Sequence, residues 1–198
     1  APDREIALAS VLDPELDNFL LRVVSWESNH YLCLTGWSER HLRALVEFLS
    51  ARGKVHLSSE SPLPADLAAL GYAGKPTDIL HLMGHCRRWP GEGGTMSTEA
   101  AILGVSNIVS GDVHGGYFKE LSREGLTRSV EDYRDPRAVL EAAEELLAEP
   151  AAAMRARRDA YVARCPDWGA EILAAIERHA RPASSPAAAR RASGAKAL

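Results

Sequence analysis

The chain has 198 residues, 46% of them hydrophobic and 25% charged, with a formal net charge of −4. That composition is of a soluble globular chain, long enough for one domain with a core, or one domain plus a tail. It holds no apolar run of the roughly eighteen residues that a transmembrane helix needs.

The start, Ala1-Pro2-Asp3-Arg4, lacks the basic-then-apolar layout of a signal peptide. It also lacks an initiator Met, which points to a processed chain or a piece of something longer. Phe19-Leu-Leu-Arg-Val-Val24 is an apolar run of buried-strand length, followed by the polar stretch Ser25–Tyr31. Ser38 offers an N-cap, and Leu42, Leu45, Val46 and Leu49 repeat at helical spacing until Gly53. Lys54–Ser58 reads as a short strand, Pro64 opens a short helix through Leu70, and Thr77 caps another that runs towards Gly84. The glycine-rich turn at Gly91–Gly94 leads into a helix from about Thr95 to Leu103. Asn107–Val109 reads as a strand and Tyr117–Glu124 as a helix. Asp135-Pro136 is a cap followed by the first-turn proline of a helix to Glu149. Two Ala- and Arg-rich helices follow, roughly 151–164 and 167–180. Trp37 and Trp168, beside helix starts, read as packing anchors, and Met96 as a packing residue.

Strands alternating with helices imply βαβ units and a parallel sheet. The expected fold is α/β, a doubly wound, Rossmann-like parallel sheet with C-terminal helices, spanning residues 1–180. Residues 181–198 have almost no large apolar side chain and read as a disordered Ala/Arg-rich tail. From Pro182 onward the tail carries Arg190, Arg191 and Lys196 and no acid, so it sums to +3 and leaves −7 on the rest. An acidic body argues against nucleic acid as a partner. Cys33, Cys86 and Cys165, odd in number and widely spaced, point to a reducing compartment, the cytoplasm, and to neither a disulfide framework nor a thiolate zinc site.

In such a sheet, ligands bind outside the carboxyl ends of the strands. The segments expected there, Ser25–His30, Ser58–Glu60, Gly91–Thr95 and Ser110–Tyr117, are also the polar and glycine-rich parts of the chain. In Gly91-Glu-Gly-Gly-Thr-Met-Ser-Thr-Glu99, glycines permit close backbone approach, and the first helical turn leaves N–H groups free for an anion. Thr95 adds a hydroxyl, and Glu99, one turn on, can reach a sugar hydroxyl. The loop is not the dinucleotide fingerprint and lacks the lysine of a P-loop. Read alone, it is equally a helix start with a capping Thr and a solvated Glu.

The segment GEGGTMSTEAAILG, together with Arg22-Val-Val-Ser25-Trp26, Ser58-Ser-Glu60 and Tyr117-Phe-Lys-Glu-Leu121, resembles the domain-of-unknown-function 354 family. That family is similar to GT-B glycosyltransferases and UDP-N-acetylglucosamine 2-epimerases. The resemblance covers roughly residues 15–165 and matches the C-terminal of the family's two Rossmann-like domains. It implies a nucleotide-diphosphate-sugar-binding domain of a glycosyltransferase in glycan or surface polysaccharide biosynthesis, with a UDP-sugar as substrate and no cofactor. By that resemblance Gly93, Gly94 and Thr95 are phosphate contacts and Glu99 the ribose contact. Ser25, Trp26 and His30 line the cleft after the first strand, and Ser58 and Glu60 after the second. The implied partner is an N-terminal Rossmann-like domain, without which catalysis by this part alone is not expected.

The chain departs from the family pattern where Cys86-Arg-Arg-Trp-Pro90 replaces an apolar strand and Glu92 replaces an Asp. A Pro and two Arg are unfavourable in a central parallel strand, so either the strand is short or the chain has drifted from the pattern and the loop is displaced. His81 and His85, at i, i+4 beside Cys86, have metal-ligand spacing but no third ligand nearby in sequence, so a metal site is not expected. His30 and His114 fall on ligand-side loops and are the candidate catalytic residues. Gly115 and Gly116 give the second of these loops hinge-like freedom. No Ser-His-Asp or Cys-His motif supports a hydrolase. The rival readings are a UDP-N-acetylhexosamine 2-epimerase and a non-catalytic binding module.

Overall fold

The computed structural model describes residues 1–25, 36–110 and 116–180. The uninterrupted apolar run becomes β1 (Asn18–Val23), whose Phe19, Leu20 and Leu21 are fully buried, as a strand covered on both faces requires. The other strands are β2 (Lys54–Ser59), β3 (Trp89–Gly91), β4 (Asn107–Ser110) and β5 (Arg128–Val130). All pair in parallel, in the order β2-β1-β3-β4-β5. The expected doubly wound parallel sheet is therefore present, and its strand order reverses between β1 and β3. At that reversal the two connecting chains leave in opposite directions and open a crevice.

Alternate residues of β1 serve opposite faces. Phe19 and Leu21 pack with Leu57 and Ile108 beneath α2 (Glu39–Ser50) and α6 (Pro136–Ala148). Leu20 packs on the other face with Met83, Trp89 and Ala100, beneath α1 (Arg4–Ser10), α3 (Ile79–His85) and α4 (Gly94–Leu103). A third cluster, Ala101, Leu121, Leu126 and Met154, ties α5 (Gly116–Arg123) and α7 (Ala151–Arg164) to α4. Asp135 caps α6 as expected, accepting from the Arg137 N–H at 2.9 Å, with Pro136 in the first turn. Ser38 and His41 form the capping box of α2. The chain divides into two compact units, Ala1–Val162 and Ala163–Leu198, the second of which contains α8 (Trp168–Ala180).

Several expectations need correction. The helix from Pro64 reduces to successive tight turns ending in a 3₁₀ segment, Ala68–Leu70, closed by Leu67 N–H to Pro64 O and Leu70 N–H to Leu67 O. Thr77 caps nothing: its hydroxyl turns to the Asp78 carboxylate, and a 3₁₀ turn, Pro76–Asp78, leads into α3 instead. Trp168 is no packing anchor, being 64% exposed. α1 and β5 are elements that hydrophobic spacing did not indicate.

At Cys86–Pro90 the short-strand alternative holds. A central strand does form there, shortened to three residues. Pro90 has no N–H to give the ladder to β1, which is held on either side of it: Leu20 N–H reaches Arg88 O before it, and Glu92 N–H reaches Arg22 O after it. Trp89 N–H meanwhile donates to Ser106 O on the β4 side. Arg88 is 3% exposed yet harmless to the core, because its guanidinium caps the carboxyl end of α6. Nε donates to Leu146 O at 2.6 Å, and Nη2 donates to the carbonyls of Leu147 and Glu149. Arg87 points outward to an ion pair with Asp17.

Candidate functional site

The strand reversal places the β3–α4 connection beside the carboxyl end of β1. Gly93 sits at φ +88°, in the left-handed region that favours glycine, and it starts α4 with no side chain among the described residues capping the helix. The first-turn N–H groups of α4 therefore point out of the helix end with no side-chain cap among the described residues, and they carry the positive end of its dipole. Gly94 is needed for a different reason than anion approach. A Cβ there would lie 2.1 Å from Phe118 Cζ, so the buried Phe118 ring of α5 packs directly on the helix start. The exposed Tyr117 ring stands against Phe118, with centroids 4.3 Å apart. Thr95 is exposed at the same end.

Beneath this turn α4 is bolted to the sheet. Ser97 Oγ donates to Asn107 Oδ1 at 2.8 Å, and Thr127 Oγ1 donates to the same oxygen at 2.6 Å. Asn107 Nδ2 in turn donates to the carbonyls of Val105 and Leu126. All three side chains are buried, so the network fixes the height of α4 against β4 and β5.

Two carboxylates flank the helix end. Glu92 is fully buried, and its carboxylate accepts from Val24 N–H at 3.2 Å and from Trp37 N–H. It thereby pins the end of β1 to the approach of α2. Glu99, one turn into α4, is half-buried and has no hydrogen-bond or ion-pair partner among the described residues. Burial holds its carboxyl above the ordinary carboxylate range.

A third cluster closes the β1–β2 side. Arg22 and Ser58 are register partners across the two strands, and Arg22 Nη1 donates to Ser58 Oγ at 2.8 Å. Arg22 Nη2 pairs with Glu60 Oε1, while Glu60 Oε2 accepts from Ser25 N–H at 3.1 Å and from the Ser25 hydroxyl. Next to this cluster lies a cavity of about 490 Å³, lined by Arg22, Ser58, Tyr72, Pro76, Ile79 and Met96 among others. A cleft of about 410 Å³ at the opposite edge of the sheet is lined by Arg128 and Arg157, both engaged in ion pairs with Glu145 and Glu149.

Of the residues picked from sequence, Gly93, Gly94, Thr95 and Glu99 share one loop and helix start, and Ser25, Ser58 and Glu60 converge on Arg22. Trp26, His30 and His114, and the hinge glycine Gly115, lie outside the described residues. Met96 packs on the core and also faces the cavity. Arg22 and Glu92 are the site residues that sequence reasoning missed. The signal for Arg22 was a cation in an otherwise apolar strand; for Glu92 it was an acid between glycines. His81 accepts from Asp3 N–H through Nδ1 at 2.8 Å, and among the described residues no three metal-ligating side chains cluster. Among them, too, no helix is long and apolar enough to cross a membrane.

No family model matches the chain, and no curated protein matches it. Solved structures do. The glycotransferase of kitacinnamycin superposes with a TM-score of 0.52 at 16% identity, over 75% of this chain and 40% of its own. A protein described as a UDP-N-acetylglucosamine 2-epimerase from Listeria monocytogenes superposes with a TM-score of 0.53 at 14% identity, over 90% of this chain and 52% of its own. At these identities the likeness shows a shared fold. The chain spans about half or less of the length of either structure.

Proposed function

We propose that the chain is the nucleotide-diphosphate-sugar-binding domain of a GT-B-type glycosyltransferase, of the kind that serves glycan or surface polysaccharide synthesis. The observation that carries this reading is the start of α4 at the strand reversal, uncapped among the described residues, with the Glu99 carboxylate, unpartnered among them too, one turn along. The helix end offers N–H donors and a positive dipole to a diphosphate, with the Thr95 hydroxyl beside them. Glu99 is placed to accept from ribose hydroxyls, and the cavity of about 490 Å³ has room for the base or the sugar. In glycosyl transfer the bond between the anomeric carbon and the diphosphate oxygen breaks, and negative charge grows on the leaving diphosphate. Fixed donors at a helix end stabilise that charge without reorganising. A second Rossmann-like domain, supplying the acceptor site, is the partner this reading calls for; the match to this chain fills only 40% of one structural neighbour and 52% of the other. Titration calorimetry with UDP and UDP-sugars tests the proposal. Binding is expected, and a folded sample that takes up neither ligand at millimolar concentration overturns it.

The broader overlap with the Listeria protein, 90% of this chain, favours epimerisation at C2 of a UDP-N-acetylhexosamine as the second reading. NMR of UDP-N-acetylglucosamine incubated with the full-length protein, second domain included, separates the two: epimerisation changes C2 with no acceptor present, whereas transfer needs one.

A further inference from the structure

We propose that Arg22 is the cationic arm of this site and that Glu60 occupies the position an acidic group of the ligand takes on binding. Given the nucleotide-sugar reading, on which this rests, that group is the diphosphate. Arg22 follows Leu20 by two residues on β1, so its side chain leaves the sheet on the face covered by α3 and α4. Its strand partner on the β3 side is Gly91, three residues before α4 begins, and it shares the cavity wall with Met96 of the first turn of α4. Among the described residues lining that cavity, Arg22 alone is charged.

The two ends of the ion pair are held unequally. The Arg22 side chain is 20% exposed and anchored through Nη1 by Ser58, whereas the Glu60 side chain is 41% exposed and lies just past the end of β2. Arg22 is thus fixed in place, and Glu60 is the displaceable partner. A guanidinium presents the same fork of donors to a carboxylate and to a phosphate. A helix end contributes only about half a positive charge, well short of a diphosphate's charge. An incoming diphosphate therefore gains most by replacing Glu60 on Arg22. Glu60 keeps its Ser25 N–H partner and turns its released oxygen to water.

The test is calorimetry of UDP and of uridine with the wild type, Arg22→Gln, Glu60→Gln and the double variant, with melting curves for each. Arg22→Gln is expected to weaken UDP about tenfold or more, the loss of charge-assisted bonds to a phosphate. Glu60→Gln is expected to tighten UDP several-fold by removing the competitor, and to have no effect when Arg22 is already Gln. Uridine, which lacks phosphate, should bind all four alike. Unchanged UDP affinity in Arg22→Gln overturns the assignment, as does weaker or unchanged UDP binding in Glu60→Gln. That second result decides the matter even where Arg22→Gln fails to fold. A wild type that binds no UDP overturns the nucleotide reading itself, a different outcome from a wild type that binds and a variant that binds equally.

Discussion

Glu99 is left half-buried with no cation and no donor against it among the described residues. Its carboxyl is held above the usual range by burial, so the folded state binds its proton more tightly than the unfolded state does. The sign follows from linkage: the ionised side chain lowers stability as pH rises through this carboxyl, and lowers nothing below about pH 4.5, where both states are protonated. Glu99→Gln should therefore melt higher than the wild type at pH 7, with the difference fading as pH falls below that value. The same substitution should weaken UDP about tenfold, since a carboxylate accepting from two ribose hydroxyls is replaced by an amide. Thermal melts across pH beside calorimetry check both halves. Lower stability at pH 7 would show that Glu99 holds the fold together and is not kept for a ligand. Glu99 stands out in the sequence by its spacing from Gly93, and the structure leaves it one turn into α4. Arg22 was visible as a residue but not as a site member, because its task depends on Ser58 and Glu60 across the strand register.

At the scale of elements, the site hangs on the joint between β1, β3 and α2. Glu92 makes that joint with two backbone N–H groups as its partners. Glu92→Ala strips both N–H groups of their acceptor in a buried place, and a loss of about 2–4 kcal/mol is expected from bonds of this kind. Glu92→Gln keeps one acceptor oxygen and should lose less. Urea unfolding measures the difference; an alanine variant with the wild-type midpoint would mean that the β1–α2 connection is held by other contacts. Local spacing revealed the strands and helices that carry their own signals: the apolar run of β1, the Leu42–Leu49 repeat, the Asp135-Pro136 start. It left β3 undecided between a short strand and none, because what makes Arg88 and Pro90 tolerable is remote. The Arg88 charge is spent on α6 carbonyls some sixty positions away, and the N–H that Pro90 lacks is flanked by ladder bonds from Leu20 and Glu92. β5 escaped for the opposite reason, since a three-residue edge strand with two exposed side chains shows no periodicity.

The whole molecule is asymmetric in where its burial lies. Every buried side chain of the described residues belongs to the stretch ending at Met154 in α7, and the three core clusters are complete within the unit Ala1–Val162. α8, in the other unit, buries nothing and exposes Trp168, Ile172, Leu173 and Ile176. Hydrophobic burial is the dominant favourable term in folding, so a segment without it contributes little to the stability of the sheet. A chain ending at Arg164, the last residue of α7, is therefore expected to fold, to unfold in one cooperative step, and to melt within a few degrees of the full chain. It should also bind UDP with unchanged affinity, because α4, Arg22 and Glu60 all lie before the cut. Circular dichroism melts and calorimetry on the two chains decide the point. A shortened chain that fails to fold would make the C-terminal unit part of the folding domain. One that folds but binds no UDP, where the full chain does, would place a ligand contact beyond Arg164 and move the site away from the strand reversal.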